Sequence, residues 1–132
     1  MSSDPLWFKD AVFYEAPVKS FFDSDNNGIG DFRGMAEKLD YIRQLGVDCI
    51  WLLPMYPSPY KDDGYDISDF VSIHHEYGTV ADFKALLDAA QTLPLVTDLR
   101  PRRRGDLRAV VNEQPGYPYA RGISRVRKVR VR

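Results

Sequence analysis

Cysteine, histidine and long apolar runs are all scarce in this sequence of 132 residues. The single cysteine, Cys49, excludes an internal disulfide, and its apolar neighbours predict that it is a small buried hydrophobe. No run approaches the ~18 apolar residues that a membrane helix needs. Residues 1–5 lack the charged and apolar regions of a signal peptide. We therefore expect a soluble, cytoplasmic protein with no membrane partner.

Charge is distributed unevenly, although the net charge of the whole chain is only −1. Residues 1–99 contain 17 acidic and 7 basic side chains, whereas residues 100–132 contain 2 acidic and 11 basic ones. The chain is therefore predicted to have two parts, a body of residues 1–99 and an irregular, arginine-rich tail of residues 100–132. Such a tail is typical of nucleic-acid binding, but it has few interleaved aromatic residues for base stacking.

Hydrophobic periodicity within the body predicts an alternation of strands and helices. Apolar or β-branched segments predict strands at 49–53 and 93–99 and, within residues 11–18, a first strand that ends near Pro17. Apolar residues at spacings of three and four predict a helix from Phe32 to Leu45 and a second helix capped by Thr79. This order is typical of parallel β/α units. We predict an α/β fold that corresponds to the first three β/α units of a truncated (β/α)₈ TIM barrel, which needs eight strands.

A polar loop follows the first predicted strand and has the spacing of a calcium loop. Oxygen donors occur at alternate positions, with glycine at the sixth position, as in EF-hand loops; the five candidate ligands are Asp23, Asp25, Asn27, the carbonyl of Ile29, and Asp31. Position 12 is Gly34, so the bidentate glutamate of an EF-hand is missing. The loop is interpreted as a calcium site, and the alternative is a solvated turn rich in Asp and Asn.

A second polar loop, residues 54–78, follows the second predicted strand and combines carboxylates with aromatic rings. Its length indicates a functional loop. Planar carboxylates and aromatic faces suit the hydroxyls and the apolar face of a sugar, and residues 60–66 contain both. The alternative is an ordinary acidic surface loop. His74 and His75 have no cysteine or third histidine nearby to complete a zinc site, so they are interpreted as ordinary loop residues.

Four ordered motifs carry a resemblance to a known family. Residues 7–15, 23–32, 45–54 and 62–70 together resemble the beginning of the alpha-amylase superfamily, glycoside hydrolase family 13. The resemblance implies a (β/α)₈ barrel and retaining chemistry on α-glucosides, with a covalent glucosyl-enzyme. It also implies that the partner is an α-linked glucose disaccharide such as maltose or trehalose.

The resemblance also assigns roles to individual residues. Asp62 would hydrogen-bond hydroxyls of the nonreducing glucose, and Tyr65 would stack under that ring. The loop ligands named above match the family's metal loop, and Asp98 matches the aspartate that opens the family's region at the third strand.

The match to the family pattern ends after Leu99. Arg102 and Arg103 occupy the places of the family's Asn-His pair. The nucleophile, the acid/base and the third carboxylate belong to the fourth, fifth and seventh strands, which have no counterpart here, so we expect this chain alone to be inactive. The tail from Arg100 is interpreted as a shifted reading frame, because G/C-rich codons read out of frame give Arg, Pro, Gly and Val; the alternative is a genuine basic tail.

Overall fold

The computed structural model describes residues 9–90, 93 and 95–97. Among these residues it contains three strands and four helices. In chain order they are β1 (Phe13–Ala16), α1 (Val18–Phe21), α2 (Phe32–Glu37), α3 (Leu39–Gln44), β2 (Cys49–Leu52), α4 (Val80–Ala89) and β3 (Leu95–Thr97). None of the helices in the described residues is long and apolar enough to cross a membrane.

The three strands form one parallel sheet in the order β1-β2-β3. In the register Ala16 lies opposite Leu52, and Leu52 lies opposite Thr97, so all three strands end at the same edge. The predicted α/β arrangement is confirmed. Because the strands are parallel, the loops after β1 and β2 both leave the sheet from its carboxyl edge.

The first strand ends where it was predicted to end, near Pro17, because β1 ends at Ala16 and a one-turn helix, α1, follows. The strand begins at Phe13, two residues after the start of the predicted segment. Pro17 has φ −76°, cannot donate a ladder hydrogen bond and is suited to the residue before a helical turn. Its carbonyl accepts a hydrogen bond from the Ser20 N–H at 3.3 Å.

The predicted helix from Phe32 to Leu45 is divided in the structure into α2 and α3. The division is at Lys38, which has φ −100° and ψ 8° and donates its N–H to the Met35 carbonyl at 3.1 Å. A bond to the third preceding residue tightens the turn and changes the direction of the chain. Met35, Leu39 and Ile42 are nevertheless all buried, so the apolar stripe continues across the break.

Helix α4 begins as predicted. Thr79 Oγ1 accepts the Asp82 N–H at 3.2 Å, and Asp82 Oδ2 accepts the Thr79 N–H at 2.8 Å, which completes a capping box. The Phe83 ring packs against the Phe32 ring of α2 with centroids 5.3 Å apart. Arg33 Nε donates to Asp82 Oδ1 at 3.0 Å, so α2 and α4 lie together beside the sheet.

The core lies between the sheet and the helices. Ile50 and Leu52 of β2 are fully buried, as are Phe32 of α2 and Leu86 of α4. Cys49 is also buried, as predicted. This core fixes the bases of the two loops at the carboxyl edge of the sheet.

Candidate functional site

The predicted metal ligands and the predicted sugar ligands lie on two loops at the same edge of the sheet. We call residues 22–31, between α1 and α2, the first loop, and residues 53–79, between β2 and α4, the second loop.

Asp23 organises the first loop by accepting backbone hydrogen bonds. Its Oδ1 accepts the Asn26 N–H at 2.8 Å, and its Oδ2 accepts the Gly28 N–H at 2.7 Å. These donors stabilise the charged form, so the pKa of the Asp23 carboxyl is lowered, with the Gly28 N–H as the largest cause. Asn26 and Gly28 have φ 63° and 91°, which curls the chain around this carboxylate.

Asp31 closes the first loop and begins α2. Its Oδ1 accepts the Gly34 N–H at 2.7 Å, which caps the helix, and also the Ser24 hydroxyl at 2.8 Å. Its Oδ2 accepts the Ser24 N–H at 3.0 Å. The side chain is buried, with the residue 7% exposed, so this carboxylate joins the two ends of the loop.

The structure brings three of the predicted metal ligands together. One carboxylate oxygen from each of Asp23, Asp25 and Asp31 lies within 4.8 Å of the other two. Ca²⁺ takes oxygen ligands at about 2.3 to 2.6 Å, so oxygens on opposite sides of the ion are about 5 Å apart. The spacing of the carboxylates therefore fits a Ca²⁺ ion.

The other two predicted ligands belong to the same turn. Asn27 Oδ1 accepts the Ile29 N–H at 2.8 Å, and Asn27 Nδ2 donates to Asp25 Oδ2 at 3.2 Å. Each carboxylate or amide oxygen has two lone pairs, so one hydrogen bond leaves room for a cation. Asp23, Asp25 and Asn27 are thus joined by short-range hydrogen bonds that extend to the Ile29 N–H, whereas Asp31 is bonded to Ser24 and Gly34.

The first loop is attached to α1 through glycine. The Gly30 N–H donates to the Lys19 carbonyl at 2.7 Å, and the Asp31 N–H donates to the Phe22 carbonyl at 3.0 Å. A Cβ atom at Gly30 would collide with the Val18 carbonyl oxygen. Only glycine permits this close approach of two backbone segments.

Asp62 and Tyr65, the predicted sugar ligands, occupy one tight turn of the second loop. The Tyr65 N–H donates to the Asp62 carbonyl at 2.9 Å, and Asp63 and Gly64 between them have φ 49° and 92°. Both predicted ligands are exposed, with Tyr65 at 43%. The turn therefore presents a carboxylate and an aromatic ring together at the carboxyl edge of the sheet.

Asp66 stabilises this turn, a role that the sequence analysis did not predict. Its Oδ1 accepts the Ser58 hydroxyl at 2.6 Å, and its Oδ2 accepts the Lys61 N–H at 2.8 Å. The Ser58 hydroxyl is the largest cause of the lowered pKa of Asp66. The only sequence signal is a carboxylate directly after the turn, which is too common to predict these partners.

Tyr60 and His74 form an aromatic cluster within the second loop, beneath the turn that carries Asp62 and Tyr65, and this cluster was also not predicted. The Tyr60 ring lies edge-on to the His74 ring with centroids 5.1 Å apart, and Lys19 Nζ lies 4.6 Å from the Tyr60 centroid. Burial, followed by the charges of Glu76 and Asp66, raises the pKa of Tyr60 to about 12.

His74 is buried, whereas its neighbour His75 is exposed. Burial lowers the pKa of His74, partly opposed by the nearby charge of Glu76. His74 Nδ1 accepts the Glu76 N–H at 3.3 Å, and the His75 ring stacks on the imidazole with centroids 4.8 Å apart. His74 is therefore a packed residue at the base of the loop.

Three residues of the family pattern, Asp98, Arg102 and Arg103, lie outside the described residues, as does the whole tail of residues 100–132.

Comparison with protein families identifies the class of the protein. The family described as "Alpha amylase, catalytic domain" matches residues 17–101, well over half of the chain. The chain belongs to the alpha-amylase family.

Among individual proteins, the chain is similar to "Trehalose synthase/amylase TreS" of Mycolicibacterium smegmatis, with 50% identity over 124 residues. This match covers 90% of the chain and 21% of the relative. It therefore extends beyond residue 100 into the arginine-rich tail. "Oligo-1,6-glucosidase" of Parageobacillus thermoglucosidasius is 50% identical over 96 residues, which cover 71% of the chain and 17% of that enzyme.

A similar solved structure is trehalose-6-phosphate hydrolase of Bacillus licheniformis, with 55% identity and a TM-score of 0.67. The match covers 70% of this chain and 17% of that one. The chain thus spans about a fifth of the length of the relatives that it matches.

Proposed function

We propose that this chain is the N-terminal part of a retaining enzyme that acts on α-glucosides. Within that class we propose a trehalose synthase, which interconverts maltose and trehalose by intramolecular glucosyl transfer. The observation that carries this proposal is the 50% identity with the M. smegmatis trehalose synthase/amylase over 90% of the chain.

The turn of the second loop supports a role in holding glucose. Asp62 would accept hydrogen bonds from hydroxyls of the nonreducing glucose, and Tyr65 would stack against the apolar face of the ring. In a retaining reaction, a carboxylate attacks the sugar while a carboxylic acid protonates the leaving oxygen, and a second acceptor then takes the glucosyl group. In a trehalose synthase the released glucose is that acceptor, after turning within the pocket.

We expect the 132-residue chain by itself to be inactive, because the nucleophile and the acid/base have no counterpart in it. Incubating the purified chain with maltose and measuring trehalose and glucose tests this expectation. Turnover above a blank would contradict it, and a heat-denatured sample of the same chain controls for contaminating enzymes.

Oligo-1,6-glucosidases and sucrose isomerases are the alternative within the same class. The oligo-1,6-glucosidase match is 50% identical, and a trehalulose synthase structure is 47% identical with a TM-score of 0.68.

Sequencing the gene across codons 95 to 105 tests whether a one- or two-base correction restores an Asn-His pair and a long open reading frame. If it does, the corrected enzyme is assayed with maltose, isomaltose and sucrose. Trehalose formed from maltose supports our proposal, whereas preferred cleavage of isomaltose or isomerisation of sucrose supports the alternative.

We also propose that the first loop binds Ca²⁺, which would stabilise the loop and take no part in bond cleavage. The closeness of the Asp23, Asp25 and Asp31 carboxylates supports this proposal, because all three come from one stretch of chain and each has an oxygen within 4.8 Å of the others. We expect weak binding, with a dissociation constant of about 10⁻⁴ to 10⁻³ M. In calorimetry Asp25→Ala should weaken binding at least about tenfold, and Asp62→Ala should not change it. No heat at millimolar calcium would indicate a solvated turn.

A function of another class is a non-catalytic metal-binding module whose basic tail binds nucleic acid. The contrast between an acidic body and a tail with 11 basic residues is the observation in its favour. Phosphate contacts would make the affinity for DNA fall steeply with salt. Absent or salt-independent binding of duplex and single-stranded DNA would eliminate this alternative.

A further inference from the structure

The ring of Tyr60 lies directly under the turn that carries Asp62 and Tyr65. A Cβ atom built on Gly64, in the middle of that turn, would lie 3.6 Å from Tyr60 Cε1 and 3.5 Å from the Pro54 carbonyl oxygen. Gly64 is buried although Asp62, Asp63 and Tyr65 around it are exposed. The turn therefore rests with its backbone on the Tyr60 ring and on the chain just after β2.

The Tyr60 ring is itself fixed from two sides. The Lys19 ammonium lies over its face at 4.6 Å, and the buried His74 lies at its edge with centroids 5.1 Å apart. His74 is fixed in turn, because its backbone N–H donates to the Met55 carbonyl at 2.9 Å. A cation over an aromatic face is attractive, so the contact with Lys19 opposes movement of the ring.

The backbone of Tyr60 is also constrained. It has φ 54°, which side-chain-bearing residues rarely adopt, and its N–H donates to Ser58 Oγ at 2.9 Å. The same Ser58 hydroxyl donates to Asp66 and so joins the start and the end of the 58–66 segment. Tyr60 is bonded to this junction through its backbone N–H. A strained residue persists only where its surroundings determine its conformation.

The hydroxyl of Tyr60 contributes nothing to this arrangement. Its oxygen is buried and has no hydrogen-bond partner among the described residues. A buried unpaired hydroxyl is a cost to stability, so any benefit of this residue comes from the ring.

We propose that Tyr60, with Lys19 across its face, is a positioning residue that sets the orientation of Asp62 and Tyr65 toward the sugar. The proposal rests on the function proposed above for those two residues. Lys19 also accepts the Gly30 N–H through its carbonyl, so it connects the base of the first loop to the turn of the second.

The test uses the 132-residue chain and measures amide hydrogen exchange by NMR. The reporter is the Tyr65 N–H, which donates to Asp62, and the reference is the Phe83 N–H in α4, which donates to the Thr79 carbonyl at 3.0 Å. We expect Tyr60→Ala to accelerate exchange at Tyr65 by about fivefold or more relative to Phe83. Lys19→Met should accelerate it about two- to fivefold, as expected for loss of a cation over an aromatic ring. Tyr60→Phe should leave it unchanged within about twofold, because it retains the ring.

Equal effects of Tyr60→Phe and Tyr60→Ala, or an unchanged Tyr65 amide in Tyr60→Ala, would overturn the proposal. If Tyr60→Ala also accelerates exchange at the Phe83 amide, that variant has lost its fold. The Tyr65 exchange rate of Lys19→Met then tests the proposal instead. A maltose titration of the same samples separates the two proposals. Absence of binding in the unmutated chain and in all variants would count against the sugar site alone, whereas the exchange pattern would still decide the positioning role.

Discussion

The two loops at the carboxyl edge of the sheet are built in different ways. In the first loop, Asp23 accepts hydrogen bonds from residues three to five positions ahead, and Asn27 accepts one from two positions ahead. In the second loop, the turn at Asp62 rests on Tyr60 and on Pro54, and Tyr60 is fixed by Lys19 and by His74. The first loop is therefore held mainly by bonds within its own sequence and by its contact with the adjacent α1, whereas the second loop also depends on Lys19, which lies far away in the sequence.

This difference bears on what each loop can do in a short chain. A site whose ligands come from nine consecutive residues needs only their ordering, at an entropic cost of roughly 1 to 2 kcal/mol per residue. A site whose turn depends on two neighbouring elements needs the sheet edge to be formed as well. We expect the first loop to tolerate changes in the second loop better than the reverse, because the second loop depends on Lys19, whose carbonyl is held by the Gly30 N–H of the first loop.

The largest effect is expected where the first loop meets α1. Gly30→Ala would place a Cβ against the Val18 carbonyl and should lower the free energy of unfolding by about 3 kcal/mol or more. Gly28→Ala is the matched control, because Gly28 has φ 91° and open space around it, and should cost only about 1 to 2 kcal/mol. Urea denaturation followed by circular dichroism measures both. Similar losses in the two variants would show that the contact with α1 is unimportant.

The second prediction compares a carboxylate of each loop. Asp31→Ala removes the acceptor of three hydrogen bonds and the cap of α2, and should lower the free energy of unfolding by about 2 kcal/mol. Asp62→Ala removes an exposed side chain and should change it by less than about 0.5 kcal/mol. Thermal melts of both variants at the same pH are the measurement. A large loss for Asp62 would mean that it also supports the fold.

A smaller effect is expected from protonation in the second loop. Burial lowers the folded-state pKa of His74, so below its ordinary pKa of 6.5 the unfolded chain binds more protons than the folded chain. Stability should therefore decrease as the pH falls from 6.5 until the folded-state pKa is reached. The urea midpoint should be lower at pH 5.5 than at pH 7.5 in the parent chain and in the control variant His75→Gln. In His74→Gln this difference between the two midpoints should be smaller. An unchanged difference in His74→Gln would assign the effect to another group.

The smallest effect is expected in the first loop and at lower pH. The pKa of Asp23 is depressed below 3.8 by the Gly28 N–H above all, so its contribution to stability is complete above that value. The contribution is lost as the pH falls through the folded-state pKa. Asp23→Asn should make the urea midpoint less sensitive to pH between about 4 and 2. If calcium binds as proposed, adding it at pH 5 should raise the midpoint of the parent chain but not that of Asp23→Asn.

Local patterns in the sequence predicted the elements whose causes are local. Thr79 and Asp82 predicted the start of α4, and the alternating oxygens from Asp23 to Asp31 predicted three carboxylates that the structure brings within 4.8 Å of one another. The break at Lys38 was not predicted, because the apolar stripe from Phe32 to Leu45 is uninterrupted in the sequence. The helix α1 was not predicted either, because its four residues are too few to show a helical period.

The sequence by itself determined the order of strands and helices, the cap of α4, the spacing of the oxygens in the first loop and the membership of the alpha-amylase family. Each of these depends on residues close together in the chain or on ordered motifs. Only the tertiary structure placed Tyr60 under Gly64, buried His74 and paired Asp66 with Ser58. The physical reason is that carboxylates, hydroxyls and aromatic rings in an irregular loop have many possible partners, and packing against Lys19 and the end of β2 selects among them.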